Sequence, residues 1–389
     1  MNTFAAVMTG KGTGAISTIQ VIGDSADAVV RKIFRPTDAK QSKVKTGKIL
    51  LGNIIDGNET IDQVIIGCEQ PDSLTINCHG NPLIVSEIMQ LLGRNGVALL
   101  STEQLMAKIT SDNTIAVEAK LAQAKAMTIE GTKIILNQIE AGLSKKAQCW
   151  LEDINDVSLE KIRVEAVGIL KKSEVAKLII YGCIAVLTGP PNTGKSTLLN
   201  YLAGRQKAIV TDIKGTTRDW VTAQYRTECL SLELIDTAGL SEELQSSKDT
   251  IETTAQKKSV EILKQADLIL LVLDNSQINE QVDERITEKV LGKKVITVLN
   301  KCDLPAKFGA GKPPEILSNN VLISAKEGTG IENLLEKIQQ ITGISDFDPK
   351  SDICFTDRQK NLLEQLINSK SKQQAASIIT ELLNGRLSV

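Results

Sequence analysis

The chain has no apolar run approaching the roughly 18 residues that a membrane-crossing helix needs. Nor does its amino terminus carry the basic-then-apolar pattern of a secretion signal. Together these lead to the expectation of a soluble, cytoplasmic protein. There is a single histidine, and the seven cysteines form no Cys-x-x-Cys pair. A zinc site is therefore not expected, and the cysteines read as reduced thiols of a cytosolic protein. Charge of one sign is also missing: 45 Lys and Arg face 47 Asp and Glu, a formal net charge of −2. No global positive field advertises nucleic acid, so any RNA contact must be a local patch. Internal repeats and low-complexity stretches are absent too. What remains is an ordinary globular composition, 42% hydrophobic and 24% charged over 389 residues, long enough for two or three domains with real cores.

One stretch organises the rest. Gly189-Pro190-Pro191-Asn192-Thr193-Gly194-Lys195-Ser196-Thr197 is a glycine, four residues, then Gly-Lys-Ser. The apolar run Cys183 to Leu187 before it reads as a buried strand, and Thr197 to Ala203 after it opens a helix. A strand, a glycine-rich turn and a helix start put backbone N–H groups and the positive helix end around a phosphate. Lys195 is then placed to reach the β- and γ-phosphates, and the Ser196 hydroxyl to ligate Mg²⁺.

Three later stretches fit the same chemistry in the same order. Leu232 to Ile235 is a strand ending in Asp236-Thr237-Ala238-Gly239. Asp236 would hold Mg²⁺ through water, and the Gly239 N–H would meet the γ-phosphate. Leu268 to Asp274 is another buried strand. Val295 to Leu299 then delivers Asn300-Lys301-Cys302-Asp303. A carboxylate at Asp303 accepts from both guanine N1–H and the exocyclic amine; adenine offers no such donor pair, so the site selects GTP. Finally, Val321 to Ile323 delivers Ser324-Ala325-Lys326, whose backbone would contact the guanine oxygen. Four motifs on the strand ends of an alternating β/α pattern predict a parallel-sheet α/β nucleotide domain.

Around that domain the pattern changes. Residues 1–105 read as an α+β domain, with strands over 16–22, 49–55, 63–68 and 74–78 and helices over 27–34 and 82–92. The glycine-rich turn Gly10 to Gly14 lacks the flanking pattern of a nucleotide site. His79, at a strand end before Gly80-Asn81-Pro82, reads as a loop or cap residue rather than a ligand. Three- and four-residue spacing of apolar side chains predicts helices over 115–127, 134–143, 162–170 and 357–387. Thr356 or Asp357 is the N-cap of the last. Lys145-Lys146 and Lys171-Lys172 read as solvated helix faces. Each helical flank has too little apolar face for a core of its own. The nucleotide domain, 179–345, is therefore expected to be inserted into one helical domain made of 106–178 and 346–389.

Hydrolysis needs a group that orients water and a positive charge on the developing oxyanion. Many GTPases place a Gln directly after Asp-Thr-Ala-Gly; here that position is Leu240, which can do neither. Glu242, Glu243 and Glu252 are candidates for the water. Arg218, in Gly215-Thr216-Thr217-Arg218-Asp219, or a bound cation is a candidate for the charge. Thr217 is the natural second Mg²⁺ ligand of that segment.

Gly-x-Pro-Asn-x-Gly-Lys-Ser, the segment Ile209 to Asp219 and Asp236-Thr237-Ala238-Gly239-Leu240 together resemble the MnmE/TrmE family of tRNA-modification GTPases, as does the domain layout. The resemblance implies that potassium takes the place of an arginine finger, held by the Asn192 side chain and oxygens of Thr211, Ile213 and Thr216. It also implies a water-orienting glutamate. Counting back from Gln265-Ala266-Asp267, this falls on Glu252, with Glu242 and Glu243 still open. The implied partners are GTP and GDP, tRNA, an MnmG-type flavoprotein that modifies the wobble uridine, and a second copy of the chain. Family N-terminal domains bind a 5-formyltetrahydrofolate-like donor through an arginine, a glutamate and a lysine. Here Gln20 and Thr75 stand at the first two positions, and the lysine has no match. The family's terminal Cys-x-Gly-Lys is replaced by Asn384-Gly385-Arg386-Leu387-Ser388-Val389. Weak or absent folate binding is expected. The alternative to a tRNA-modifying enzyme is a diverged GTPase switch without that chemistry.

Overall fold

The structure is a computed structural model that describes residues 3–10, 12–38, 46–109, 113–204, 222–236, 262–277, 292–307 and 319–385. It separates into two units, Met1–Val117 with Arg386–Val389, and Glu118–Gly385.

In the first unit, period-two alternation builds the sheet. Ser73–His79 buries Leu74, Ile76 and Cys78 and turns Ser73, Thr75 and Asn77 to the other face. The strands are β1 (Phe4–Val7), β2 (Ile16–Ile22), β3 (Phe34–Pro36), β4 (Ile49–Asp56), β5 (Glu59–Gln70), β6 (Ser73–His79) and β7 (Ala98–Leu99). They form one sheet in the order β3-β4-β5-β6-β2-β1-β7. Helices α1 (Ala26–Ile33) and α2 (Pro82–Arg94) cover one face, and Ile19, Val21, Ile66, Ile76, Val30, Ile88 and Leu92 form the core between them. Asn81 caps α2 by accepting from the Leu83 N–H, with Pro82 in the first turn. A third helix, α3, spans Thr102–Ile109. The expected strands and helices are present. β1, β3 and β7 are additional, being only two to four residues long. His79 closes β6, where buried Asp62 accepts from its backbone N–H at 2.9 Å and pairs with Nδ1 at 2.7 Å. It is a strand-end residue, as its position suggests.

The division between the units falls within helix α4 (Thr114–Gln123). The second unit continues with α5 (Ile129–Glu140), α6 (Leu143–Glu152) and α7 (Leu159–Tyr181). The apolar spacing over 134–143 thus belongs to two helices, separated by Ala141 and Gly142. A Cβ on Gly142 would collide with the Gln138 side chain, whose carbonyl accepts from the Leu143 N–H. The spacing over 162–170 marks only the amino-terminal half of α7, a 23-residue helix. Gly182, with φ 90°, ends α7, and the chain enters the next strand at Cys183. Lys146 is not simply solvated: its amine lies 3.0 Å from Glu165 and over the Trp150 ring.

The α/β part follows: β8 (Cys183–Thr188), α8 (Lys195–Gly204), β9 (Thr222–Arg226), β10 (Ser231–Asp236), β11 (Leu268–Asp274), β12 (Val295–Asn300), β13 (Asn320–Leu322) and α9 (Ile331–Thr342). The sheet order is β13-β12-β11-β8-β10-β9, parallel except for β9. All seven residues of β11 are buried, as a strand covered on both faces requires. The order reverses beside β8, which places the carboxyl ends of β8 and β11 at the switch point where α/β sheets bind ligands.

After α9 come α10 (Asp357–Ile367) and α11 (Lys372–Asn384). The single helical span expected over 357–387 is therefore broken, at residues 368–371, where Ser371 starts a second cap. Thr356 is the N-cap of α10, accepting from the Gln359 N–H. α10 packs on α7, and α11 packs on α6 and α10. At the α4–α10 contact, buried Glu118 accepts from Arg358 Nε and Nη2, both at 2.8 Å, and from Thr356 and Gln359.

Candidate nucleotide site

The phosphate loop joins β8 to α8. Gly189 has φ 136°, and a Cβ there would collide with the Val272 carbonyl of β11; Gly194 has φ 92°, and a Cβ would strike the Asn300 amide. Only glycine fits either position. Between them Asn192 is left-handed at φ 62°, a conformation Asn tolerates better than most residues. Thr193 Oγ1 donates to the Pro190 carbonyl at 3.0 Å, closing the loop.

Lys195 is buried, and its amine donates back into the loop, to Pro190 O at 2.7 Å and Gly189 O at 3.1 Å. Burial pulls its pKa below the usual lysine value, and the Asp236 charge partly opposes that fall. Ser196 Oγ donates to Asp236 Oδ2 at 2.6 Å. Two motifs 40 residues apart thus bring a hydroxyl and a buried carboxylate to one point. These are hard oxygen donors of the kind Mg²⁺ takes, so this pair fits the ion. Among the described residues there is no cluster of three or more His, Cys, Asp or Glu that could hold a metal. Thr197 follows in the first turn of α8.

The guanine-side motifs close on the same loop. Asn300 is buried; its amide donates to Thr193 O at 2.8 Å and its oxygen accepts from the Ala325 N–H at 2.9 Å. Lys301, left-handed at φ 64°, donates to Asn192 O at 2.8 Å and to Asp274 Oδ2 at 2.6 Å. Asp303 is exposed. The Ser324 hydroxyl, with Lys326 and Lys301 nearby, holds its carboxyl below the usual range, which favours the ionised, accepting form. Ser324 bridges to Thr329, and Gly328 lies against Tyr201 of α8. Asn192, Thr193, Gly194, Lys195, Ser196, Asp236, Asn300, Lys301, Ser324 and Ala325 are thus linked in one network. Thr211, Ile213, Thr216, Thr217, Arg218, Gly239, Leu240, Glu242, Glu243 and Glu252 lie outside the described residues.

Asp274 was legible only as the end of a strand. Burial pushes its carboxyl up, but hydrogen bonds from Lys301 and Ser276 and the Lys301 charge outweigh that, leaving it below the usual range. A strand ending in Asp-Asn-Ser was the available signal; its partner is 27 residues further on.

In the first unit, Gln20 and Thr75 are direct cross-strand partners. Gln20 is buried and its amide donates to Ser73 Oγ at 2.9 Å. The pair is neutral and presents no cation to a dicarboxylate, so these two residues do not fit a folate-type anion.

Residues 184–301 match the family described as 50S ribosome-binding GTPase, and residues 3–103 match the one described as GTP-binding protein TrmE N-terminus. Among curated relatives, the tRNA modification GTPase MnmE of Ligilactobacillus salivarius is 31% identical, over 87% of this chain and 81% of its own length. Its namesake from Lactobacillus gasseri is 30% identical, over 97% and 88%. That of Enterococcus faecalis is 30% identical, over 87% and 81%.

Proposed function

The chain belongs to the family of the tRNA modification GTPase MnmE, and on that premise we propose that its nucleotide site drives wobble-uridine modification together with an MnmG-type flavoprotein. It is a GTPase acting in tRNA modification. The observation that carries the reading is the closed circuit from Ser196 and Asp236 through the phosphate loop to Asn300 and Lys301.

In this reading Lys195 leaves the loop carbonyls for the β- and γ-phosphates, and the α8 amino terminus and loop N–H groups take the remaining phosphate charge. Asp303 selects guanine, with the backbone of Ser324-Ala325-Lys326 at the guanine oxygen. Ser196, Asp236 and Thr217 would hold Mg²⁺, which would supply positive charge to the phosphates. Asn192, Thr211, Ile213 and Thr216 would hold K⁺, which would supply the positive charge that an arginine finger provides elsewhere. Glu252 orients the attacking water. The residues divide into 1–105, a helical domain of 106–178 with 346–389, and an inserted GTPase domain of 179–345. The packing of α10 on α7 and the Glu118–Arg358 pair support that insertion. A homodimer formed through the N-terminal domain completes the assembly.

The test compares GTP turnover of the full chain in KCl and NaCl at matched ionic strength. Turnover is expected to be at least tenfold faster in potassium; equal rates would move the charge-supplying role to Arg218. Complementation of a deletion strain, read as wobble-uridine modification, tests the pathway. Robust potassium-dependent hydrolysis without restored modification would favour a switch without that chemistry, a reading for which the neutral Gln20–Thr75 pair is the motivating observation.

A further inference from the structure

Among the described residues, only two non-glycine positions have positive φ, Asn192 at 62° and Lys301 at 64°. They belong to different motifs, 109 residues apart, yet one hydrogen bond joins them, from the Lys301 amine to the Asn192 carbonyl at 2.8 Å. Left-handed backbone at a residue with a side chain persists only where its surroundings over-determine it. At Lys301 the surroundings include Asp274.

Asp274 ends β11, directly opposite Asn300 in the parallel register with β12. It is 2% exposed. Its Oδ1 accepts from the Ser276 N–H at 2.9 Å and the Ser276 hydroxyl at 2.7 Å, a local turn that fixes the plane of the carboxylate. Its Oδ2 is thereby aimed at the Lys301 amine, 2.6 Å away. The backbone agrees: the Asn275 N–H donates to Asn300 O at 2.8 Å, which fixes the spacing of the two strand ends. A lysine amine is a compact charge with three rotatable donors on a flexible stem. With one donor spent on an oriented buried carboxylate, the stem is held, and another donor meets the Asn192 carbonyl.

We propose that Asp274 is a positioning residue for GTP turnover: it fixes the Lys301 amine on the Asn192 carbonyl and so holds the phosphate loop in its working shape from the guanine side. It touches neither nucleotide nor metal ligand and acts through Lys301. Nothing in this depends on which ion Asn192 serves.

A double-mutant cycle on the full chain tests it, with kcat/KM for GTP measured at saturating magnesium and potassium so that the outcome is independent of the cation assignment. Asp274→Asn keeps the shape and removes the charge, and is expected to lower kcat/KM about tenfold, as loss of a charge-assisted contact does. Lys301→Met is expected to lower it at least as much. With Lys301→Met already in place, Asp274→Asn is expected to change it less than twofold, because residues acting as one unit are not additive. A further tenfold fall in that background overturns the proposal, as does a single Asp274→Asn variant within twofold of wild type. Should Asp274→Asn not fold, Ser276→Ala takes its place, since it loosens the carboxylate and leaves its charge. Its expected loss of about threefold must vanish when Lys301 is Met, and a loss that survives there overturns the proposal.

Discussion

Replacing Asn300 by alanine should separate the two halves of the nucleotide site. The side chain is 3% exposed, and its two polar atoms bond backbone groups of two buried residues, Thr193 O and the Ala325 N–H. Truncation strands both. An unsatisfied buried donor or acceptor costs roughly 1–3 kcal/mol, so the pair comes to about 2–6 kcal/mol. Part of that falls on the fold and part on nucleotide binding, because water that reaches the gap can re-satisfy one group once the loops separate. If about half falls on binding, about 1–3 kcal/mol, GDP affinity drops on the order of 5- to 150-fold. Asn300→Asp is the sharper variant: it has the same size but sets a carboxylate oxygen against the Thr193 carbonyl, so its loss should exceed that of alanine. Fluorescent-nucleotide titration gives the affinity and urea unfolding gives the stability. If both variants bind GDP within threefold of wild type and unfold at the same urea concentration, the tether is not what holds the site together.

Three further outcomes follow from the geometry. Asp303→Ala should weaken GTP roughly tenfold or more and narrow the preference for GTP over ATP; a titration showing unchanged discrimination would place guanine recognition elsewhere. Glu118→Ala should destabilise the second unit by about 3–5 kcal/mol, since it leaves Arg358 buried and uncompensated, and a thermal midpoint equal to wild type would contradict that. Calorimetric titration of the full chain with 5-formyltetrahydrofolate should show no binding at micromolar ligand, because Gln20 is already spent on Ser73; micromolar affinity would refute the reasoning.

The phosphate and guanine motifs were readable in the sequence because each is a short stretch whose chemistry is nearly complete in itself. A strand end and a few side chains suffice, as with Lys195 and Ser196. What stayed hidden depends on distant partners. The Asp274–Lys301 and Glu118–Arg358 pairs join residues 27 and 240 positions apart, and neither leaves a local pattern. Periodicity failed in two instructive ways. α7 carries one buried stripe, Ile162, Ala166, Ile169, Ser173 and Ala176, but a serine interrupts its apolar spacing and Leu178 and Ile179 leave the stripe at the carboxyl end, so only its amino-terminal half looked amphipathic. The adjoining α5 and α6 merged because Leu143 continues the apolar spacing across a break that only Gly142 and the Gln138 side chain reveal.

The direct passage from α7 through Gly182 into β8 has a mechanical meaning. A helix of 23 residues is a rod of about 35 Å at 1.5 Å per residue. One end is mounted on the strand that carries the phosphate loop, and the Tyr181 hydroxyl is clasped there by the Phe355 carbonyl at 2.8 Å. Such a rod is a lever with its fulcrum at the glycine. A tilt of only about 5° at that joint sweeps the far end, near Leu159, through roughly 3 Å. That is the scale of a side-chain contact, so a rotation of that size at the joint would be felt at the other end of the helix, where Arg163 donates to the Ser369 carbonyl.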